Sequence, residues 1–277
     1  MADRRDPAVY TIPPHRAFAD ALVSGILAQH GGDPLALARG IILVPNNRAG
    51  QAIALAFVRR AEAGLLMPRL VPIGDPELDD RTGPALDPLE GPPLPPAIDP
   101  LRRQLIFARL LQGQRGMDAA EAMRLAADLG HVLDQLLIEE KSVKDLRSVE
   151  LAEGLSEHWE NALELLTLVL SLWPAELEKR GVIDLADRRN RLLHRVADRW
   201  RTAPPPGFVI AAGVSTGAPA VTTLLKTVAF MPKGQVVLAG VDHHMPDAEW
   251  DAIGGEGGQP PIETHPQFHL RQILDRM

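Results

Sequence analysis

Two stretches of this chain share one plan, and that plan constrains the fold more than any other feature. In "GIILVPNNRAGQAIALAFVRRA" (40–61), Ile41 to Val44 form an unbroken apolar run, followed by a short polar loop and a helical pattern. In "FVIAAGVSTGAPAVTTLL" (208–225), Phe208 to Ala212 read as a buried strand that breaks into small residues and then enters a helix at Pro219. A strand with no polar face must be covered on both sides, which parallel sheets with helices on each face provide. The same alternation recurs elsewhere. "AVYTI" (8–12) is a short strand ended by Pro13 and Pro14, because proline cannot donate to a ladder. "RAFADALVSGILAQHGG" follows as a helix with Phe18, Leu22, Ile26 and Leu27 on one stripe, closed by Gly31 and Gly32. "LVPIGD" (70–75) and Gln235 to Gly240 read as further strands, and Asn46 or Asn47 can cap the helix after Val44. Strand and helix in alternation predict an α/β fold with a parallel sheet.

Between these parts the pattern changes. "GPALDPLEGPPLPPAIDP" places seven prolines between positions 84 and 100, which favours extended backbone and excludes a helix interior. Residues 101 to 201 then read as wholly helical. Ala122, Leu125, Ala126, Leu129, Val132, Leu133, Leu136 and Leu137 make one apolar face. A second helix carries Trp159, Leu163, Leu166, Leu170 and Trp173 at spacings of three and four and ends at Gly181; core packing is the expected role of both tryptophans. A third, "DLADRRNRLLHRVADRWR", starts with Asp184 as its expected cap. Three amphipathic helices should pack as a bundle. After Pro204–Gly207 the α/β pattern returns; "IGGEGGQPP" reads as a flexible tail and "HPQFHLRQILDRM" as one more helix. The outline is nested: a core over residues 1–83 and 204–277, a proline-rich crossing over 84–97, and a helical insertion over 98–203.

Composition narrows the function. With 45% apolar and 23% charged residues, 277 residues can bury a sizeable core. A net charge of −7 argues against nonspecific coating of nucleic acid, though not against a local basic face. There is no cysteine, so disulfides and thiolate metal sites are excluded. The opening "MADRRDPAVYTIPP" is no signal peptide, and no run approaches the ~18 apolar residues of a membrane span. A cytoplasmic protein with no membrane partner is expected.

The nested outline resembles a known family. The stretches "VYTIPPHRAFADAL", "ILVPNNRAGQAIALAF", "LPPAIDPLRRQLIFARLL", "EHWENALELL", "GVIDLADRRNRLL", "VIAAGVSTGAPAVTTLL" and "THPQFHLRQILDRM" are similar, in order and over nearly the whole chain, to the N-terminal region of AddB. AddB is the second subunit of the bacterial AddAB helicase–nuclease that processes double-strand DNA breaks, and the chain resembles its alphaproteobacterial type. Family members are longer and carry a C-terminal nuclease, so the chain is expected to be a fragment of such a subunit. The resemblance implies a RecA-like core of the P-loop NTPase type, related to superfamily 1 helicases, with a helical subdomain inserted. It also implies an AddA-like motor subunit and single-stranded or duplex DNA as partners, and possible contact with the regulatory Chi sequence.

Each station of an active helicase is then tested on these residues. A phosphate loop uses glycines, so that backbone N–H groups cradle phosphates, and a lysine that reaches the terminal ones. Here Pro13, Pro14, His15 and Arg16 stand in its place, with no glycine and no lysine. The strand ending at Ala212 and Gly213 would in a working enzyme end in two carboxylates, one on Mg²⁺ and one positioning water. The next strand leads to Asp242, His243 and His244 where a glutamine would sense the γ-phosphate. Three degenerate stations imply a noncatalytic module without cofactor or metal. Asn46, Asn47 and Arg48, at a helix start, and Thr216 are the implied DNA-backbone contacts.

Two further features have a plain alternative. Residues 185 to 201 hold six arginines against Asp187 and Asp198, with Arg188, Arg191, Arg195 and Arg199 near one helical face. That face reads as a DNA or subunit contact, or as a solvated face paired with acids such as Glu176 and Glu178. "PLRRQL" (100–105) is similar, and Arg102 and Arg103 can simply start a helix. Other functional classes stay open: a pure protein-docking module, a divergent nucleotide-binding ATPase, or a phosphoesterase of the DHH type holding Mn²⁺ through Asp242, His243 and His244.

Overall fold

A computed structural model describes residues 6–61, 64–74, 86, 92–142, 145, 156–255 and 260–277, with backbone only at 114, 115 and 156–162. The chain is α/β, with one five-stranded sheet in which every pair is parallel. By contacts it forms two units, residues 1–90 with 192–277 and residues 91–191. None of the described helices is long and apolar enough to cross a membrane.

The first unit contains the sheet. Its strands are β1 (Val9–Ile12), β2 (Ile41–Val44), β3 (Arg69–Pro72), β4 (Val209–Ala212) and β5 (Gly234–Ala239), in the order β1-β5-β4-β2-β3. β2 and β4 are buried at all four positions, as their unbroken apolar runs require. Helices α1 (Phe18–His30), α2 (Pro34–Ala38) and α3 (Asn47–Arg60) follow β1 and precede β3. Leu22, Val23 and Ile26 of α1 and Ile53 and Phe57 of α3 pack with Ile42, Val44, Ile210 and Ala212 in one cluster. α8 (Pro219–Phe230) packs on β4 and β5, and α9 (Asp247–Gly254) and α10 (Phe268–Arg276) complete the unit. β1 to β2 and β2 to β3 advance one way across the sheet, whereas β4 to β5 runs the other way. Right-handed crossovers then put α8 on the face opposite α1 and α3. The reversal falls between β2 and β4, where loops leave the strand ends in opposite directions.

Some local expectations are corrected. α2 and α9 were not legible as helices. Ile253 and Gly254 close α9 instead of opening a flexible tail; residues 256–259 of that stretch lie outside the described set. α2 is only five residues long, with Asp33 capping it by accepting from the Leu35 N–H at 2.9 Å.

The second unit is helical: α4 (Pro100–Arg115), α5 (Ala119–Ile138), α6 (Ser156–Arg180) and the first turns of α7 (Leu185–Thr202). Among the described residues the stretch read as three amphipathic helices holds four, because Pro100 and its cap Asp99 start α4 immediately after the proline-rich crossing. Much of that crossing lies outside the described residues. Its end is extended, with Ala97 bridged in parallel to Ile183. Phe107, Leu111, Leu133, Leu166 and Trp173 form the core, and Phe107 meets Trp173 edge-on at 4.6 Å. Val132, expected on the buried face, is 41% exposed. The Trp159 side chain lies outside the described residues.

Candidate functional site at the carboxyl edge of the sheet

Because all five strands are parallel, the loops after β1, β2, β4 and β5 all leave from one edge of the sheet. That edge is where open parallel sheets bind ligands. It gathers the residues singled out along the sequence: Pro13–Arg16 after β1, Asn46–Arg48 after β2, Gly213–Thr216 after β4 and Asp242–His244 after β5. Three helices, α1, α3 and α8, begin there and turn their positive ends toward it.

The loop after β1 is a tight exposed turn in which the Arg16 N–H donates to the Pro13 carbonyl at 3.0 Å. Its two prolines have no N–H to offer. α1 starts at Ala17 without a side-chain cap. Phe18, the first residue of α1, packs against the end of β4, its ring 3.2 Å from where a Cβ on Gly213 would stand. Gly213 has φ of +66°, a conformation favourable to glycine, and its N–H donates to the Val237 carbonyl at 2.8 Å. Ala212 is 1% exposed. The end of β4 is thus a packed apolar corner with no ionisable side chain.

Asn46 is the cap of α3, its Oδ1 accepting from the Ala49 N–H at 2.9 Å. That settles which of the two asparagines does this work. Asn46, Asn47 and Arg48 are all exposed. Thr216 Oγ1 accepts from the Ala218 N–H at 3.3 Å and shapes the loop into α8.

The loop after β5 is held by residues that sequence reading missed. Thr11 Oγ1 donates to the Leu238 carbonyl at 3.3 Å and accepts from the Val241 N–H at 3.1 Å. Gln267 donates through Nε2 to the Gly240 carbonyl at 2.9 Å, while its Oε1 accepts from the Asp242 N–H at 3.2 Å. Asp242 in turn accepts from the His244 N–H at 2.8 Å, an Asx turn. Gln272 lies against Gly217, where a Cβ would come within 1.8 Å of its Oε1, and Arg276 donates to the Gly217 carbonyl. The C-terminal segment therefore fastens the loops after β4 and β5. No local signal marks these glutamines, since they act on chain more than twenty residues away. Among the described residues, no group of three or more His, Asp or Glu side chains is placed to hold a metal.

The arginines of α7 are not a uniform free face. Arg188 Nε donates to the Pro95 carbonyl at 3.1 Å, and Arg191 pairs with Asp187 of its own helix at 2.8 Å. Arg195 and Arg199 are half-buried, Arg189 is buried, and Arg201 pairs with Asp198 at 2.6 Å. Glu176 pairs with Arg180 of its own helix. Arg103 turns into the second unit, with Nη1 and Nη2 each 2.6 Å from one Asp134 oxygen and Nη1 3.3 Å from Asp184 Oδ1. Asp184 stands directly before the first residue of α7, as expected of its cap, and its carbonyl accepts from the Arg188 N–H at 2.9 Å; its side chain also accepts from Trp173 Nε1–H at 2.8 Å and from Arg103. Burial pushes the Asp184 carboxyl up, against the pull of Trp173 and Arg103. Burial works against the Arg103 charge, but the two carboxylates outweigh it and hold its proton more tightly.

The chain matches no family model and no curated protein.

Proposed function

We propose that the chain is a noncatalytic, helicase-shaped N-terminal part of an AddB subunit, acting in recombinational repair of double-strand breaks in the cytoplasm. In this reading the sheet is a RecA-like core that keeps a motor's scaffold without its chemistry. The observation that carries it is the end of β4, where Ala212 and Gly213 stand against Phe18 in place of a carboxylate pair. The nested order of strands and helices and the proline turn after β1 support it. Fixed charges at a transferring phosphoryl group supply most of such catalysis, so losing them removes activity by orders of magnitude. Asn47 and Arg48, exposed at the start of α3, are the DNA-backbone contacts in this reading, with Asn46 shared between cap and contact and Thr216 shaping the next loop. An AddA-like subunit supplies the ATP-driven motor.

The test is a calorimetric titration of the chain with ATP and Mg²⁺, beside a binding series with single-stranded DNA at several salt concentrations. The reading predicts no saturable nucleotide binding in the micromolar range and DNA affinity that falls as salt rises. Tight nucleotide binding contradicts it. DNA affinity insensitive to salt favours a docking module instead.

A further inference from the structure

The opposite, amino edge of the sheet holds two cavities that the reading above does not use. The first, about 530 Å³, is lined by Arg39, Arg69, Arg199, Trp200 and the Pro204–Pro206 run. No Asp or Glu is among its described lining residues. The backbone carrying two of these arginines is fixed. The Arg69 N–H donates to the Gly40 carbonyl and the Ile41 N–H to the Phe208 carbonyl, both at 2.9 Å. A Cβ at Gly207 would lie 2.2 Å from the Arg39 carbonyl oxygen, and one at Gly40 2.1 Å from the Phe208 ring. Only glycine permits that approach, so Arg39 and Arg69 leave from a preorganised corner. Each guanidinium has five donors, so a bond on one side leaves others for a ligand. Arg199 sits in the last turn of α7, where the macrodipole favours cations; that reason does not extend to Arg39, which follows the five-residue α2 as its C-cap, or to Arg69, which starts a strand.

The second cavity, about 360 Å³, is lined by Tyr10, His30, Phe208, Phe230 and Lys233 and by one carboxylate, Asp6, among others. The only tyrosine of the chain, Tyr10, is 55% exposed and Phe230 is 43% exposed, whereas Phe208 is buried under His30, stacked at 4.2 Å. Lys233 Nζ donates to the Pro206 carbonyl at 2.9 Å, which ties the wall of this cavity to that of the first. Guanidinium groups beside exposed aromatic rings are the two elements of single-strand recognition, charge for phosphates and π-faces for bases.

We propose that the amino edge of the sheet cradles a short single strand of nucleic acid, with phosphates among Arg39, Arg69 and Arg199 and an unstacked base on Tyr10 and Phe230. β1, which carries Tyr10, lies three strands from β2, which Arg39 precedes. At ~4.8 Å per strand that is about 14 Å between the backbones. A short strand reaches across such a separation with phosphates at one end and a base at the other, and comparison of dT2 with dT4 reads the length required. The inference stands on its own residues, on the edge opposite Asn46–Arg48, and does not need the proposed loss of ATP chemistry.

The experiment measures fluorescence anisotropy of labelled dT2, dT4 and dT10 with the whole chain over a salt series, and maps photocrosslinks from oligonucleotides carrying 5-iododeoxyuridine. Arg39→Ala/Arg69→Ala should weaken dT10 binding at least tenfold and flatten the log affinity against log salt slope by about 1.4, two contacts at ~0.7 each. Tyr10→Ala/Phe230→Ala should cost about fivefold or more with the slope unchanged, and dT2 should bind more weakly than dT4. Both pairs are largely exposed side chains, and circular dichroism checks that the variants fold. Crosslinks at Tyr10 or Phe230 support the proposal. Wild-type affinity in both double variants, or no binding of any oligonucleotide, overturns it. Crosslinks confined to residues 46–48 overturn it while leaving the carboxyl-edge reading standing, and crosslinks confined to the amino edge do the reverse.

Discussion

Asp184→Ala should be among the most destabilising single substitutions in the helical unit. The Asp184 side chain is 5% exposed and is bonded on both oxygens, to Trp173 Nε1–H at 2.8 Å and to Arg103 at 3.3 Å. Removing it strands a buried indole N–H, which costs about 1–3 kcal/mol. It also removes one of two anions facing Arg103. Breaking a buried ion pair outright costs about 3–5 kcal/mol, but Arg103 keeps Asp134 on both of its nitrogens. The two effects together give about 3 kcal/mol, which for a chain of this size lowers Tm by roughly 6–12 °C. Asp134 is 31% exposed, so Asp134→Ala should cost less, because water replaces part of what is lost. The assay is urea and thermal unfolding of both single variants and the double variant, followed by tryptophan fluorescence and circular dichroism. A second readout is pH. The folded carboxyl is raised by burial, so its favourable contribution is present at low pH and is lost as pH rises through that raised value. Stability relative to Asp184→Asn should therefore decline as pH rises from the acid side. A loss below about 1 kcal/mol in Asp184→Ala would refute the view that this carboxylate pins α4, α6 and the start of α7 together.

Two further outcomes are expected. Asn46→Ala should cost about 1 kcal/mol by removing the cap of α3, whereas Asn47→Ala should leave unfolding unchanged; urea midpoints separate them and also separate a cap from a DNA contact. His30, stacked on Phe208, is held below the ordinary imidazole value by burial and then by Lys233. Its stabilising share is present above the unfolded value of 6.5 and is lost as pH falls below it, so His30→Gln should flatten that part of a stability–pH curve.

What the sequence could reveal followed periodicity. β2 and β4 are legible because a strand covered on both faces has no polar position to confuse it with a loop, and the observed burial follows that pattern at every residue. Asn46 was legible as one of two candidate caps because it acts on an N–H three residues away. α2 was lost because five residues are too few for a 3.6-residue period. The place of Asp184 before α7 is legible, but its bonds to Arg103 and Trp173 are not, because neither partner lies within a helical turn of it. The sheet order and the fastening of the carboxyl-edge loops by Gln267, Gln272 and Arg276 were beyond reach for the same reason: each joins segments remote in the chain. The arginine-lined corner at the amino edge brings together positions 39, 69 and 199, which no local pattern links.

Placing carboxylates at the end of β4 tests the proposed reading of a helicase-shaped scaffold without a fuel site. In the proposed reading, Ala212→Asp/Gly213→Glu should not give ATP hydrolysis, because the obstacle is structural as well as chemical. Ala212 is 1% exposed, so an aspartate there is a buried, unpaired charge that shifts its pKa and stays protonated. Gly213 has φ of +66°, which costs a non-glycine residue about 1–2 kcal/mol, and its new Cβ would meet Phe18 at 3.2 Å. Together these predict a loss of about 3 kcal/mol or more, read by urea unfolding, with phosphate release no faster than in buffer. Adding Phe18→Ala relieves the contact at the cost of core packing and still supplies no lysine or glycine loop at Pro13–Arg16. ATP turnover in the double variant would mean that the phosphate subsite is intact and only the acids were lost, and the reading of a scaffold without a fuel site would fall.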